Sequence, residues 1–398
     1  MPDRTRILFV DDEQNVLDGL QNLLRKRRQE WDMAFASSGD QALAIMAQRP
    51  FDVVVTDMRM PGMDGAALLT VVQARYPTVA RIVLSGQAQR EAVMRAVPVA
   101  HQYLSKPCDA DQLKSLINQV CALQCLLGDT HVRRLVGQLA HVPSLPRSYR
   151  DLVTAANDPN VTTARLVAVV EQDPVIAAKV LQLVNSAYFG LPHHTASIFE
   201  AVRYIGVELL KALALMTGVF TPSAKADAGY DALQQHSLLT AHIARAILGG
   251  EGRGEEAFTA GVVHEIGMIV LARGFPSEVR EVDRRVREDG HTRIEAERAI
   301  FGCDHARVGG YLLGLWGLPI AIVEAVAYCH TPGAAEAQGN DLIAVLHVAD
   351  ALAASAARGL DDDGDLDLAF LERAGRLEGL PAWRAAASSV LGALDMVA

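Results

Sequence analysis

Basic side chains are in short supply relative to acidic ones in this chain: 37 Lys and Arg stand against 47 Asp and Glu in 398 residues, a formal net charge of -10. Such a surface repels the phosphate backbone of nucleic acid, so DNA is a disfavoured partner, and no helix-turn-helix is recognisable. Only five cysteines are present (Cys108, Cys121, Cys125, Cys303, Cys329), odd in number and without a C-x-x-C pair. That count excludes a disulfide framework and a zinc ribbon and fits a reducing cytoplasm. The N-terminus offers only four apolar residues, Ile7 to Val10, before two aspartates, too few for a signal-peptide core. Long hydrophobic runs are also missing. Tyr311 to Cys329 comes nearest, but Pro319 interrupts it and Glu324 would be an unpaired charge in lipid. It reads as two buried helices broken at Gly317-Leu318-Pro319, and no membrane partner is expected. No repeat suggests a solenoid.

The length accommodates two or three domains at roughly 100–200 residues each. Residues 1–127 hold 14 basic and 14 acidic side chains, leaving 23 basic and 33 acidic for the remainder, so the whole acidic excess falls in the later part. The pattern changes at the same place. Ile7–Val10, Met33–Ala36, Val53–Thr56, Arg81–Leu84 and Gln102–Ser105 read as strands, with helical stretches near 15–27, 40–48, 65–76, 89–97 and 109–126. Strictly alternating βα units of this length build a parallel sheet covered on both faces, here a flavodoxin-like (βα)5 domain with strand order 2-1-3-4-5. Beyond Gly128 the pattern is almost entirely helical, punctuated by Pro and Gly. We divide the chain into a domain over 1–127, a helical linker over 128–140, an all-α domain over 141–357 and an acidic helical tail over 358–398. The run Asp361-Asp362-Asp363-x-Asp365-x-Asp367 lacks the glycine and terminal Glu of a calcium loop and reads as solvated.

Asp11 and Asp12 end the first predicted strand and Asp57 the third, which gathers three carboxylates at one rim of the sheet. Three anions so close need a hard divalent cation, for which magnesium is the natural occupant. Ser85 and Lys106, at the ends of the next two strands, supply a hydroxyl and an ammonium to hold a phosphoryl group on Asp57. Singly, each residue is ordinary turn or surface chemistry; as an ordered set they are specific. Over about residues 4–126 the chain resembles the receiver domain of two-component response regulators. The resemblance rests on Asp11-Asp12, Asp57-Met58-Arg59-Met60-Pro61-Gly62-Met63-Asp64-Gly65, Ser85-Gly86 and Tyr103-Leu104-Ser105-Lys106-Pro107. It implies that Asp57 accepts a phosphoryl group from a cognate histidine kinase. It also implies that Asp11, Asp12, Asp57 and the Arg59 carbonyl hold magnesium, that Ser85 and Tyr103 form the switch, and that the Lys106-Pro107 bond is cis.

Residues 135–355 resemble the HDOD domain, a catalytically degenerate relative of the HD phosphohydrolases. The segments are Val142-Pro143-Ser144-Leu145-Pro146, Gln172-Asp173-Pro174, Asn185-Ser186-Ala187-Tyr188-Phe189-Gly190, Ala201-Val202-Arg203-Tyr204-Ile205-Gly206, Val263-His264-Glu265-Ile266-Gly267, Trp316-Gly317-Leu318-Pro319 and His347-Val348-Ala349-Asp350. An HD hydrolase holds its metal on an upstream histidine, a His-Asp pair and a distant aspartate. This chain has His236, then His264-Glu265, then Asp350, with His305 and His330 as candidates for a second metal and Cys329 beside His330. The resemblance makes these six a vestigial site with a transition metal as its candidate cofactor. Three departures argue against turnover: Glu265 is one methylene longer than Asp, Met268 replaces a lysine, and His330-Thr331-Pro332-Gly333 does not continue into a Gly-Tyr-Pro motif. His193, His194 and His242 read as surface or core histidines, and Cys329 as a small hydrophobe.

The expectation is therefore a cytoplasmic response regulator in which phosphorylation alters a non-catalytic output domain that signals by protein contact. Its partners would be a downstream signalling protein or a second copy of the chain. The alternatives are a phosphorylation-gated, metal-dependent phosphohydrolase and a cyclic-dinucleotide-binding sensor. The stripe Leu113, Leu116, Ile117, Val120, Leu123 and Leu127 on the helix after the fifth strand is expected to outrun the sheet and need a further cover.

Overall fold

The computed structural model of the chain describes residues 4–86, 99–106, 110–127, 130–138, 151–152, 154–155, 158, 161–186, 194–215, 228–249, 252–335, 341–359 and 366–395. The chain divides into two compact units, the first built on residues 1–141 and the second on most of residues 142–398.

In the first unit five strands, β1 (Thr5–Val10), β2 (Trp31–Ala36), β3 (Val53–Asp57), β4 (Ala80–Gly86) and β5 (Gln102–Lys106), form one sheet of order β2-β1-β3-β4-β5. All four pairings are parallel, with Val10 opposite Thr56 and Asp57 opposite Leu84. The order matches the expected flavodoxin-like winding. The β-branched run Val53-Val54-Val55 is completely buried because helices cover both faces of a central parallel strand. Helices α1 (Gln14–Leu23), α2 (Gly39–Met46), α3 (Gly65–Arg75) and α4 (Ala110–Leu126) follow, α2 and α3 being capped by the side chains of Ser38 and Asp64. A 3-10 turn, Arg25–Arg27, ends the stretch expected as one helix over 15–27. The helix expected near 89–97 and the Lys106-Pro107 bond lie outside the described residues. The whole leucine and valine stripe of α4 is buried, from Leu113 to Leu127. Helix α5 (Thr130–Gln138), the expected linker, packs on the loop after α3, where Arg133 donates to the Thr78 carbonyl at 3.3 Å.

The second unit contains α6 (Thr163–Glu171), α7 (Pro174–Asn185) as far as Leu181, α8 (Ile198–Leu215), α9 (Ala228–Leu248), α10 (Arg253–Val263), α11 (Ile266–Gly274), α12 (Pro276–Glu288), α13 (Arg293–Phe301), α14 (His305–Leu315) as far as Gly314, α15 (Ile320–Tyr328) and α16 (Asp341–Arg358). Its centre is α9 packed on α10 and α16, with α15 also against α16. Tyr311 to Cys329 divides into α14 and α15 with the break at Gly317 to Pro319, as expected. Arg253–Gly274 has the length and composition to cross a membrane, yet 78% of its apolar window is buried inside the protein and it consists of two helices, α10 and α11. The segment expected as an acidic tail is integral to this unit, although most of the aspartate run, Asp361 to Asp365, lies outside the described residues. Its helices α17 (Leu368–Arg373) and α18 (Leu380–Asp395) bring Leu371 and Leu380 into a buried cluster with Ala344 and Val348 of α16. A periodic apolar face is worth about 2 kcal/mol per leucine when buried, which outweighs the acidic composition of the preceding loop.

Candidate functional site

The carboxyl ends of the parallel strands place the first group of side chains. Asp11 directly follows β1, Asp57 ends β3 and Lys106 ends β5. Asp11 and Asp57 are buried, whereas Asp12 points to solvent. The Lys106 ammonium lies between the two buried carboxylates, 2.6 Å from Asp11 Oδ2 and in contact with Asp57 Oδ1. Burial would lower the Lys106 pKa, but its hydrogen bonds and ion pairs with Asp11 and Asp57 outweigh that and raise it above the usual lysine range. Backbone amides complete the cradle: Glu13 N donates to Asp11 Oδ1 at 3.0 Å and Arg59 N to Asp57 Oδ2 at 2.7 Å. Gly65 is required here for space, since a Cβ would lie 2.2 Å from the Asp57 carbonyl oxygen.

The donor set suits magnesium, as oxygens of Asp11, Asp12 and Asp57 with the Arg59 carbonyl are hard ligands. Tyr103 is fully buried in β5, and its hydroxyl finds no partner among the described residues. Burial pushes that phenol well above its ordinary pKa. Ser85 lies one residue from the end of β4, opposite Ser105 of β5; its side chain lies outside the described residues.

The second group lies in the helical unit. His236 comes from α9 and Asp350 from α16, while His264 and Glu265 occupy the short break between α10 and α11. His305 opens α14, and His330 follows α15 after Cys329. Their ligand atoms form two clusters, His236 with His264, Glu265 and Asp350, and Glu265 with His305 and His330. Within each cluster all ligand atoms are within 4.8 Å of one another. All six residues named from sequence thus converge, and Glu265 belongs to both clusters. The extra methylene of Glu265 does not withdraw its carboxylate: Oε1 is 3.7 Å from His264 Nε2 and Oε2 is 3.2 Å from His305 Nε2.

Hydrogen bonds fix the imidazole tautomers. His264 Nδ1 donates to the Gly261 carbonyl at 2.7 Å, and its Nε2 is fully buried. That nitrogen faces Asp350 Oδ1 at 3.4 Å and has no hydrogen-bond partner among the described residues, and neither has Glu265 Oε2. His236 Nε2 meets the same Asp350 oxygen at 2.8 Å. On the other side His305 Nδ1 donates to Glu297 Oε2 at 2.7 Å, and the same oxygen accepts from the His305 backbone amide at 2.9 Å. His305 Nε2 then faces His330 Nε2 at 2.9 Å, while His330 Nδ1 lies 3.2 Å from Asp350 Oδ2. Burial would raise Asp350, but the three surrounding imidazoles hold it well below the carboxylate range. Burial would lower His330, yet Cys329 and Asp350 hold it well above the usual imidazole range.

Glu297, buried in α13, is not singled out by the sequence, where it is one of many glutamates on an amphipathic helix. Its only signal is the spacing of eight residues to His305. His347 is a counterexample: Nδ1 donates to the Cys329 carbonyl at 2.6 Å and Nε2 accepts from Asp367 N at 2.9 Å, so both nitrogens are engaged in holding α16 and α17. Gly267, the second residue of α11, permits the close crossing with α14 that brings His305 to Glu265; a Cβ there would lie 1.9 Å from the His305 carbonyl oxygen. His242 lies against the Phe258 ring and near Arg245, His194 is exposed, and His193 lies outside the described residues.

Comparison with known proteins agrees with both regions. The hydrogenase transcriptional regulatory protein HoxA of Cupriavidus necator is 36% identical over 127 residues, covering 31% of this chain and 26% of that protein. An uncharacterized protein of Treponema pallidum is 24% identical over 208 residues, covering 49% of this chain and 39% of that protein. The chain thus spans well under half of these curated relatives. The crystal structure of the MmoQ response regulator from Methylococcus capsulatus is similar at 25% identity with a TM-score of 0.48, over 60% of this chain and 97% of that one. The response regulator receiver domain model matches residues 7–118 and the HDOD domain model residues 142–332, and the chain belongs to the two-component response regulators that join these two domains.

Proposed function

We propose that Asp57 accepts a phosphoryl group from a histidine kinase and that the HDOD domain passes on the resulting change by protein contact. The single observation that carries this is the Lys106 ammonium held against Asp57 and Asp11 at the ends of three parallel strands. Asp57 attacks the phosphorus of the donor, its Oδ–P bond forms as the bond to the donor's leaving group breaks, and Lys106 and Ser85 hold the transferred oxygens. Asp11, Asp12, Asp57 and the Arg59 carbonyl would hold magnesium, which would supply charge neutralisation to that transfer. The phosphoryl group adds about two negative charges, which draw Ser85 and Tyr103 into a new arrangement. The domains run over 1–127 and 141–357, with a linker over 128–140, in a cytoplasmic protein. The downstream partner is a protein surface or a second copy of the chain.

The test is incubation of the purified full chain with a small acyl phosphate and magnesium. Acid-labile phosphate on wild type, none on Asp57→Ala, and a change in hydrodynamic size only for wild type are expected. Equal labelling of both proteins overturns the phosphoacceptor assignment, and labelling without a size change overturns output through altered shape or assembly.

A second reading is favoured by the cluster His236, His264, Glu265 and Asp350: the helical domain binds a transition-metal ion and acts as a phosphohydrolase or nucleotide sensor. Two imidazole nitrogens with carboxylate oxygens are the ligand types such an ion prefers. Loss of bound metal on His264→Ala supports it, and a metal-free wild type after reconstitution removes it.

A further inference from the structure

Helix α5, in the stretch between the receiver and HDOD matches, is built into the first unit rather than strung out from it. Its apolar residues Val132, Leu135 and Val136 are buried, while His131 and Arg134 face solvent. Specific attachments hold it at the amino-terminal rim of the sheet, opposite the phosphoryl site. Arg133 Nη2 donates to the Thr78 carbonyl at 3.3 Å and lies 3.6 Å from Asp52 Oδ1. Gly137 presses on the turn after α3 so closely that a Cβ would overlap the Pro77 carbonyl oxygen.

Those attachments fall on the roots of the strands that carry Asp57 and Ser85. Asp52 immediately precedes β3, which ends in Asp57, and Pro77 and Thr78 precede β4, which ends in Ser85 and Gly86. Asp52 also ties the roots together: Oδ2 accepts from Arg6 N at 2.9 Å, and its carbonyl accepts from Ala80 N at 2.9 Å. From Ala80 to Ser85, β4 spans roughly 17 Å at about 3.3 Å per residue. It is paired with β3 over Ala80–Leu84 and with β5 over Ile82–Gly86. A strand laddered on both sides cannot stretch without losing hydrogen bonds, so a pull on Ser85 displaces its root. The fit of Gly137 on Pro77 leaves no room for a graded response, so α5 is either seated or lifted.

We propose that α5 is a strap, seated while Asp57 is a free carboxylate and lifted when Asp57 carries a phosphoryl group. This rests on the phosphoacceptor reading above and adds the element that first responds to it. With α5 seated, both Asp57 carboxylate oxygens are engaged, Oδ1 by Lys106 and Oδ2 by Arg59 N. A phosphoryl group draws Ser85 toward Asp57, the root of β4 follows, and Pro77 and Thr78 leave their fit to Gly137 and Arg133. Linkage is reciprocal, so whatever unseats α5 favours the phosphorylated arrangement in turn.

The experiment uses the purified full chain with magnesium and beryllium fluoride, which bonds to a carboxylate oxygen in the shape of a phosphoryl group. Hydrogen–deuterium exchange of residues 130–138 and affinity for beryllium fluoride are measured. The additive is expected to speed that exchange about 10-fold in wild type and to leave Asp57→Ala unchanged. Gly137→Ala and Arg133→Ala are expected to exchange fast without it and to bind it about 10-fold tighter. Circular dichroism and slow exchange of residues 53–55 establish that each variant is folded; should Gly137→Ala not fold, Arg133→Ala carries the test. Unchanged exchange in a wild type that binds beryllium fluoride, or unchanged or weaker affinity in the folded variants, overturns the strap and leaves the phosphoacceptor reading standing. No binding to wild type overturns both.

Discussion

In the receiver domain the buried carboxylates Asp11 and Asp57 meet a permanent cation, the Lys106 ammonium, whereas in the helical domain Glu265 and Asp350 meet four imidazoles and no lysine or arginine among the described residues. The difference separates two ways of stabilising buried negative charge. A lysine carries its charge at any ordinary pH, so the receiver rim keeps its counter-charge whatever else is bound there. Imidazoles carry charge only when they bind a proton or offer their lone pairs to a metal, so the helical site depends on what it is loaded with.

The largest effect that tests this contrast is removal of the common counter-charge of the imidazoles. Asp350→Ala leaves His236, His264 and His330 without their shared partner, and urea unfolding of the helical domain is expected to lose about 3–5 kcal/mol. Next is Gly267→Ala, whose new methyl meets the His305 carbonyl oxygen; about 1–3 kcal/mol of destabilisation is expected, together with weaker metal retention by elemental analysis. A smaller effect is expected for Lys106→Ala at the receiver rim, about 1–2 kcal/mol. Magnesium can take over the lost charge, so the ion should raise the melting temperature more in the variant than in wild type. An equal rise in both proteins would contradict a charge role for Lys106.

Glu171 on α6 sharpens the comparison from another side, because it is a half-buried carboxylate without a tight cation. Burial, opposed by Arg245 and assisted by Glu255, pushes it up from 4.5 to about 7. The folded pKa exceeds the unfolded one, so the stability from holding this proton is complete below about pH 4.5 and is lost as pH rises through about 7. Glu171→Gln should therefore gain stability over wild type between pH 5 and pH 8 on the order of 1 kcal/mol, allowing for its partial exposure, as read from urea midpoints. The smallest effect is expected where charges meet in water. Arg284 pairs with Glu281, Glu288 and Asp289 on exposed α12, and Arg284→Ala should leave the melting temperature unchanged.

The receiver elements are legible in the sequence because each is a local pattern. Runs such as Val53-Val54-Val55 are too β-branched and short for a helix, and the parallel order comes from strict alternation with helices. The rim residues are legible for the same reason, since strand ends locate Asp11, Asp57 and Lys106 without any contact map. In the helical domain the six ligand types are readable, but their sharing is not. The extra methylene of Glu265 argues for a displaced carboxylate; in the fold that length spans two clusters instead. Glu297 is invisible because only the crossing of α13 and α14 turns it from one of many helix glutamates into the partner of His305. Acidic composition marks the aspartate run of the tail as solvated, whereas Leu371 and Leu380 decide where the helices after it pack.

The sequence by itself determined the alternating βα half, the helical half that holds the acidic excess, and the side-chain types at both sites, because these depend on composition and on periods of a few residues. Tertiary structure alone decided which ring nitrogens and carboxylate oxygens face each other. His236, Glu265, His305, His330 and Asp350 are far apart along the chain, and only the packing of five helices brings their nitrogens and oxygens within a ligand's reach. Tautomers are set by the same packing, since a ring nitrogen is committed or left open by whichever carbonyl or carboxylate the neighbouring helix supplies.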